Sequence, residues 1–263
     1  MELLIDIGNT RLKWALLDRG ALRGADAVEH RADAAAVDIM LDRLSANRAT
    51  APTGVVAANV ADDQFGTRVA GAVRERWGLS VRFAMTQTRA GAVRNGYDDF
   101  SQLGVDRWLA IIAAADQFPG PVCIVDAGTA ITIDVVAPGG LHAGGYIIPG
   151  LDLMRQSLGE KTGNLQRLAG DGSQRLPAGL PAPGHSTGEA INGGALAVVC
   201  CLIDRCVGES EENGGGLQVV VTGGDAERLI RHLEGIVHHR PQLVLEGLAL
   251  YEFDRDSGRA GEK

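Results

Sequence analysis

At 263 residues the chain can hold one large or two small domains, and its 45% apolar share allows an ordinary core, built mainly of Ala, Val, Leu and Ile because aromatics reach only 4%. A formal charge of −8 excludes the basic footprint of a nucleic-acid binder, although Gly loops can still take small phosphate-bearing ligands. The four cysteines (Cys123, Cys200, Cys201, Cys206) form no paired zinc pattern, no basic signal-peptide start is present, and no apolar run is expected to span a bilayer, so the expectation is a cytoplasmic protein with no membrane partner.

The chain opens on an apolar run, Leu3-Leu4-Ile5, that ends in Asp6-Ile7-Gly8-Asn9-Thr10. Leu12–Leu17 then returns as a second strand. A helix is expected at Ala34–Arg48, a strand at Gly54–Asn59, a helix at Asp62–Trp77 and a strand at Val81–Phe83. A loop over Arg89–Phe100 leads to a helix from Leu103 to Asp116. Phe118-Pro119-Gly120-Pro121 is a breaker and marks the expected domain boundary.

The second half repeats the plan. Cys123-Ile124-Val125 ends in Asp126-Ala127-Gly128-Thr129, and Ile131–Val136 returns. A third strand is expected at Leu141–Ile148, then helices at Leu151–Leu158 and Glu189–Val207. Leu217–Thr222 reads as a strand that ends in Gly223-Gly224-Asp225, with a helix opening at Ala226. A last strand is expected near Gln242–Leu245, followed by a short helix to Tyr251. Gly170–Ser186 and Glu209–Gly216 read as surface loops, and the tail Asp254–Lys263 as disordered. The expectation is therefore an α/β chain of two related halves, residues 1–117 and 118–253, with a tail at 254–263.

Four groups carry candidate chemistry. Asp6, Gly8, Asn9, Thr10 and Lys13 offer a carboxylate for a cation and amide, hydroxyl and ammonium donors for phosphate. A routine hairpin with an Asn/Gly turn would look the same locally. Asp126, Gly128 and Thr129 repeat the pattern. A strand-end Asp costs desolvation unless a cation or turn amides pair with it. Thr222-Gly223-Gly224-Asp225-Ala226 would let a ligand approach a helix start, or Asp225 would simply cap that helix. Asn95-Gly96-Tyr97 with Gly104-Val105-Asp106-Arg107-Trp108 places an adjacent Asp and Arg at a helix start. The carboxylate there could take a proton from an alcohol and the guanidinium could hold an anion. A helix-start carboxylate beside a solvated Arg is the plainer reading.

Together these motifs resemble the type III pantothenate kinases over nearly the whole chain, from Asp6 to Tyr251. Asp6 to Thr10 resembles the first phosphate motif and Asp126 to Thr129 the second. Gly96-Tyr97 with Gly104 to Trp108 resembles the pantothenate stretch. Gly144-Gly145-Tyr146-Ile147-Ile148-Pro149-Gly150 resembles the segment after the second phosphate motif, and Thr222 to Ala226 the adenosine motif. The resemblance implies an actin-like ATPase fold, two RNase-H-like halves with the nucleotide in the cleft between them. It implies that Asp106 is the general base and that Tyr97, Gly104, Val105, Asp106, Arg107 and Thr187 hold pantothenate. It implies ATP contacts from Asp6, Ile7, Gly8, Asn9, Thr10, Arg11, Leu12, Lys13, Thr129, Gly223 and Gly224. Asp6 would organise Mg²⁺, directly or through water, and Asp126 a monovalent cation, potassium or ammonium. It further implies a homodimer that shares its pantothenate sites. The family often has Pro three residues after the motif Tyr, where this chain has Phe100.

Two rivals share parts of the pattern. Another small-molecule kinase of the same fold would keep Asp6, Asp126 and the Gly223-Gly224 turn, but not the Gly104–Trp108 string. A transcriptional accessory factor could keep the fold and lose catalysis, whereas here all three motif carboxylates are present. No G-x-x-x-x-G-K-[ST] loop occurs, which excludes a P-loop kinase.

Overall fold

The structure is a computed structural model that describes residues 1–30, 33, 35–46, 51–161, 177–212 and 216–259. Its elements in chain order are β1 (Glu2–Ile7), β2 (Arg11–Asp18), β3 (Ala21–Glu29), α1 (Ala35–Ala46), β4 (Gly54–Asn59), α2 (Asp63–Trp77) and β5 (Val81–Phe83). A small hairpin follows, β6 (Arg89–Ala90) and β7 (Val93–Arg94), then a 3₁₀ turn at Phe100–Gln102 and α3 (Val105–Gln117). The second series is β8 (Val122–Ala127), β9 (Ala130–Val136), β10 (His142–Pro149), α4 (Leu151–Lys161), α5 (Thr187–Glu212), β11 (Gln218–Thr222), α6 (Ala226–Ile230), β12 (Val237–His239) and α7 (Leu243–Arg259).

The internal repeat is now visible as topology. One sheet has the order β3-β2-β1-β4-β5 and the other β10-β9-β8-β11-β12. In each, the first three strands run antiparallel and the last two are parallel to the first. This is the RNase-H-like arrangement expected of each half.

The chain divides into two compact units, Met1–Ala113 with the segment from Gln242 onward, and Ala114–Pro241. The division falls inside α3, ahead of the Pro-Gly breaker, and the C-terminal segment groups with the first unit instead of the second. The reason is packing. Leu243, Val244, Leu245, Leu248 and Tyr251 of α7 are buried, α7 lies against β1, β2 and β4, and the Tyr251 hydroxyl accepts from the Met85 amide at 3.4 Å.

Period-2 alternation sorts each sheet into two faces. Leu3, Ile5, Ile7, Leu12, Trp14, Val55 and Ala57 form one core with Val37 and Met40 of α1 and Phe65 and Val69 of α2. Cys123, Val125, Ala127, Ile131, Ile133, Val219 and Val221 form another with Val199, Cys200 and Ile203 of α5. Asp6 and Asp126, one step out of phase with those core residues, therefore fall on the opposite face of their sheets.

Several local expectations differ. β3 was not foreseen: it is a largely exposed edge strand held by backbone pairing to β2, so its side chains carry little alternation. The strand expected at Gln242–Leu245 is the start of α7, and the strand lies earlier, at Val237–His239. A short apolar run does not distinguish the two by period. Helix α7 continues to Arg259 where disorder was expected, because extending a helix costs far less than starting one. Helix α5 likewise runs to Glu212, past the start of the expected loop, with an Arg205–Glu209 ion pair of 2.9 Å one turn apart. Positions 34, 47, 48, 170–176, 213–215 and 260–263 of the expected elements lie outside the described residues.

Among the described residues one helix, Thr187–Ser210, is long and apolar enough to cross a membrane by length and composition, against the expectation of no such run. One side of it, with Leu196, Val199, Cys200, Ile203 and Cys206, is built into the second core, as in the core helix of a packed domain.

Candidate active site

Asp6 is 4% exposed, and its cross-strand partner on β2 is Lys13, whose Nζ lies 3.4 Å from Asp6 Oδ2. Burial holds the Asp6 carboxyl above its ordinary range, and Lys13 pulls it part of the way back. Asp106 lies in the first turn of α3, where its Oδ1 accepts the Arg107 amide at 2.8 Å. Burial raises its proton affinity most, the Arg107 amide opposes that, and the negative charge of Asp6 raises it further. The two carboxylates therefore sense each other within the first unit. Gly104 makes room for this: a Cβ there would sit 2.7 Å from Asp106 Oδ1.

Arg107 is buried. Its Nη1 donates to the Tyr97 hydroxyl at 2.9 Å, and its guanidinium carbon is 5.6 Å from the Tyr97 ring centroid. Tyr97 is fixed in turn by Asn95, whose Oδ1 accepts the Tyr97 amide at 3.0 Å while its Nδ2 donates to the Gln87 carbonyl at 3.2 Å. Beside Phe100, where the family often has Pro, Asp99 ties the loop together. Its Oδ1 accepts from the Ser101 amide at 3.0 Å and from the Ser101 hydroxyl at 2.6 Å, and its Oδ2 from Gln102 Nε2 at 3.1 Å. Those bonds, the Ser101 hydroxyl first, hold the Asp99 carboxyl below its usual range.

The turn after β1, the candidate first phosphate turn, is short and exposed at Asn9, Thr10 and Arg11. The Gly8 amide donates to the Arg11 carbonyl at 3.0 Å. Ile7 and Leu12 are fully buried in the core, so only their backbone is available to a ligand. His30, which no motif singled out, also reaches this turn: its Nε2 lies 2.8 Å from the Gly8 carbonyl. A lone His at a strand end carries no signal in sequence.

The second unit repeats the turn. The Gly128 amide donates to the Ala130 carbonyl at 3.1 Å, and the Gly150 amide to the Thr129 carbonyl at 2.9 Å. Asp126 of β8 is in register with Thr222 of β11. Gly223 has φ +96°, and a Cβ there would lie 2.5 Å from Asp126 Oδ1. A side chain would fill the space against that carboxylate. Beside it the buried Thr222 hydroxyl makes no hydrogen bond. A close glycine backbone, a carboxylate and a spare hydroxyl oxygen suit a hard cation. Gly224 is exposed at the turn, and the Asp225 amide donates to the Ala127 carbonyl at 2.8 Å. Asp225 does not cap α6 with its side chain; it pairs with Arg228 Nη1 at 2.9 Å. Thr187 stands exposed in the first turn of α5, ahead of which Ser186 Oγ accepts the Glu189 amide at 3.2 Å and Glu189 Oε2 takes the His185 amide at 2.8 Å. The structure thus brings Asp6, Tyr97, Gly104, Asp106 and Arg107 together in the first unit, and Asp126 with Gly223 in the second.

Two RNase-H-like sheets, each with an Asp at the end of its first strand followed by a Gly turn, define an actin-like ATPase fold. A solved structure from Clostridium difficile, the activator of the 2-hydroxyisocaproyl-CoA dehydratase with bound ADPNP, shares that fold: TM-score 0.56 at 12% identity, covering 100% of this chain and 97% of that one. So does a Baf family transcriptional activator from Campylobacter jejuni, TM-score 0.60 at 18% identity, covering 97% and 99%. The family model for type III pantothenate kinase matches residues 2–209. The type III pantothenate kinase of Nitrosococcus oceani is 35% identical over 260 residues, 95% of this chain and 92% of that protein. The chain belongs to the type III pantothenate kinase family.

Proposed function

We propose that this chain transfers the γ-phosphoryl group of ATP to the hydroxyl of pantothenate, giving 4′-phosphopantothenate and ADP, the first step of coenzyme A biosynthesis, in the cytoplasm. The observation that carries this reading is the grouping of Asp106 with Asp6 and of buried Arg107 with Tyr97, on the segments that match the family motifs.

The chemistry follows from these groups. Phosphoryl transfer needs positioning and charge neutralisation more than covalent catalysis. Asp106 accepts the hydroxyl proton as the hydroxyl oxygen bonds to the γ-phosphorus and the bond from phosphorus to the ADP oxygen breaks. The raised proton affinity of Asp106 makes it a stronger base than an exposed carboxylate. Arg107, fixed by Tyr97, holds the anionic substrate. The turns at Gly8 to Thr10 and at Gly128 to Thr129 receive phosphate oxygens on donors other than the Gly8 and Gly128 amides, which already bond the Arg11 and Ala130 carbonyls, and the Gly223-Gly224 turn takes the nucleoside. Asp6 would hold Mg²⁺, directly or through water, beside its 3.4 Å ion pair to Lys13. When bound, that ion neutralises phosphate charge. Asp126 would hold the monovalent cation, with support from the close backbone at Gly223 and the spare Thr222 hydroxyl.

The same reading includes a homodimer. Support comes from α5, an apolar helix buried on one side, and from exposed Tyr146 and Ile147 on edge strand β10, Leu153 and Leu158 on α4, and Val198 on α5. Residues Gly104 to Arg107 and Tyr97 of one chain would be completed by Thr187 of its partner. The test is an assay for 4′-phosphopantothenate from ATP and pantothenate in matched potassium and sodium buffers. Product in potassium and much less in sodium is expected. No product from the folded protein in either buffer refutes the activity, and equal rates refute the monovalent site.

A further inference from the structure

We propose that His30 is a positioning residue for the first phosphate turn, setting the direction of its Asn9 amide; the inference rests on the kinase reading above. The imidazole holds the turn from behind. Since the Gly8 carbonyl can only accept, His30 Nε2 carries the proton and donates across 2.8 Å. The His30 backbone amide donates to the Thr10 carbonyl, also at 2.8 Å. One residue therefore fixes the carbonyls on both sides of Asn9.

The ring itself is not free to swing. His30 is 3% exposed and stacks on Phe65, with centroids 4.1 Å apart and planes 10° from parallel. Phe65 is fully buried in the first turn of α2, where its amide is capped by Asp62 Oδ1 at 2.7 Å. The path from α2 to the turn is thus a cap, a stacked pair and a hydrogen bond.

The consequence follows from peptide planarity. In a trans peptide the C=O of one residue and the N–H of the next point in opposite directions. Tying the Gly8 carbonyl to His30 aims the Asn9 N–H away from the imidazole and out of the core. Asn9 is exposed, so this amide meets solvent or a ligand. A phosphate oxygen is the ligand such an amide suits in a Gly turn of this kind. Without His30 the Gly8–Asn9 peptide can rotate, and the amide loses its fixed direction before the nucleotide arrives.

The experiment compares wild type with His30→Leu, which fills the space without a donor, and His30→Gln, whose Nε2 restores one. For each, ADP affinity is read by calorimetry, and kcat, the KM for ATP and the KM for pantothenate by the coupled assay. His30→Leu should weaken ADP affinity and raise the KM for ATP about 3- to 10-fold, the net worth of one hydrogen bond. The KM for pantothenate should stay within about twofold, well inside that hydrogen-bond effect. His30→Gln should recover most of the loss. A folded His30→Leu protein with wild-type ADP affinity overturns the proposal. Equal weakening of both substrates does too, because it marks a general structural role. If His30→Leu does not fold, Phe65→Leu removes the stack and keeps both hydrogen-bond partners. It should weaken ADP alone by a smaller factor, and no change there overturns the idea. Wild-type ADP binding without pantothenate phosphorylation would sink the kinase reading and leave the loop measurement standing.

Discussion

At the residue scale the informative pair is Asp6 and Asp106, two carboxylates whose proton affinity burial raises and whose charges oppose each other. Asp106→Asn keeps an Oδ1 to accept the Arg107 amide but removes the proposed base. It should cost about 10²–10⁴-fold in kcat. The same change carries a stability prediction of the opposite sign. A carboxyl whose folded pKa is raised favours the protonated fold. That stability is present below the ordinary carboxylate value of 3.8 and is lost as pH rises through the raised folded value. Above that folded value the wild type has lost it, whereas Asn carries no charge penalty at any pH. The variant should melt no lower than wild type at pH 7, with any advantage closing as the pH falls toward 3.8. Wild-type kcat/KM should fall on acidification through a pKa above that value. Thermal melts and a pH–rate profile check both, and a variant that melts lower at pH 7 contradicts the buried-charge argument.

At the element scale, the crossing of α3 and α7 holds in place the helix that carries the proposed base. A Cβ on Gly247 would meet the Leu109 backbone, its Cα at 2.9 Å. Backbone cannot rotate aside as a flexible side chain can, so Gly247→Ala must push the helices apart. Overpacking costs about 1–3 kcal/mol. Ala gains about 1 kcal/mol over Gly as a helix former. The net should be destabilising, seen as a lower Tm together with reduced kcat, because α3 carries Asp106 and Arg107 in its first turn. An unchanged or higher Tm would mean that the two helices have slack. The close approach was invisible in sequence: Gly247 sits in a short apolar run that read as a strand and helix, and only packing shows which backbone it touches.

At the scale of the whole molecule, the proposed homodimer would complete each pantothenate site. Val198 is 57% exposed on α5, so Val198→Glu should shift the species seen by light scattering from dimer to monomer. Activity should fall with it if Thr187 completes the partner's pantothenate site. Mixing Asp106→Asn with Thr187→Arg chains should restore part of the activity, since one pocket of each mixed dimer carries neither lesion. A fully active monomer, or no rescue despite subunit exchange, would remove the shared site.

The sequence by itself determined the repeated strand–Asp-x-Gly–strand hairpins, the α/β class and the motif residues, because these are local: period-2 alternation, Gly turns and strand-end carboxylates are each written in a few neighbouring residues. It also placed Asp6 and Asp126 out of phase with the core, which is what puts them on the other sheet face. Only the tertiary structure decided the rest. The edge strand β3 exists through backbone pairing that leaves little pattern in its side chains. The return of α7 to the first unit depends on which buried surface its apolar stripe meets. The proximity of Asp6 to Asp106 and the hold of His30 on Gly8 join residues far apart in the chain. Packing and hydrogen bonding over such separations depend on the folded path of the backbone, and no local pattern encodes that path.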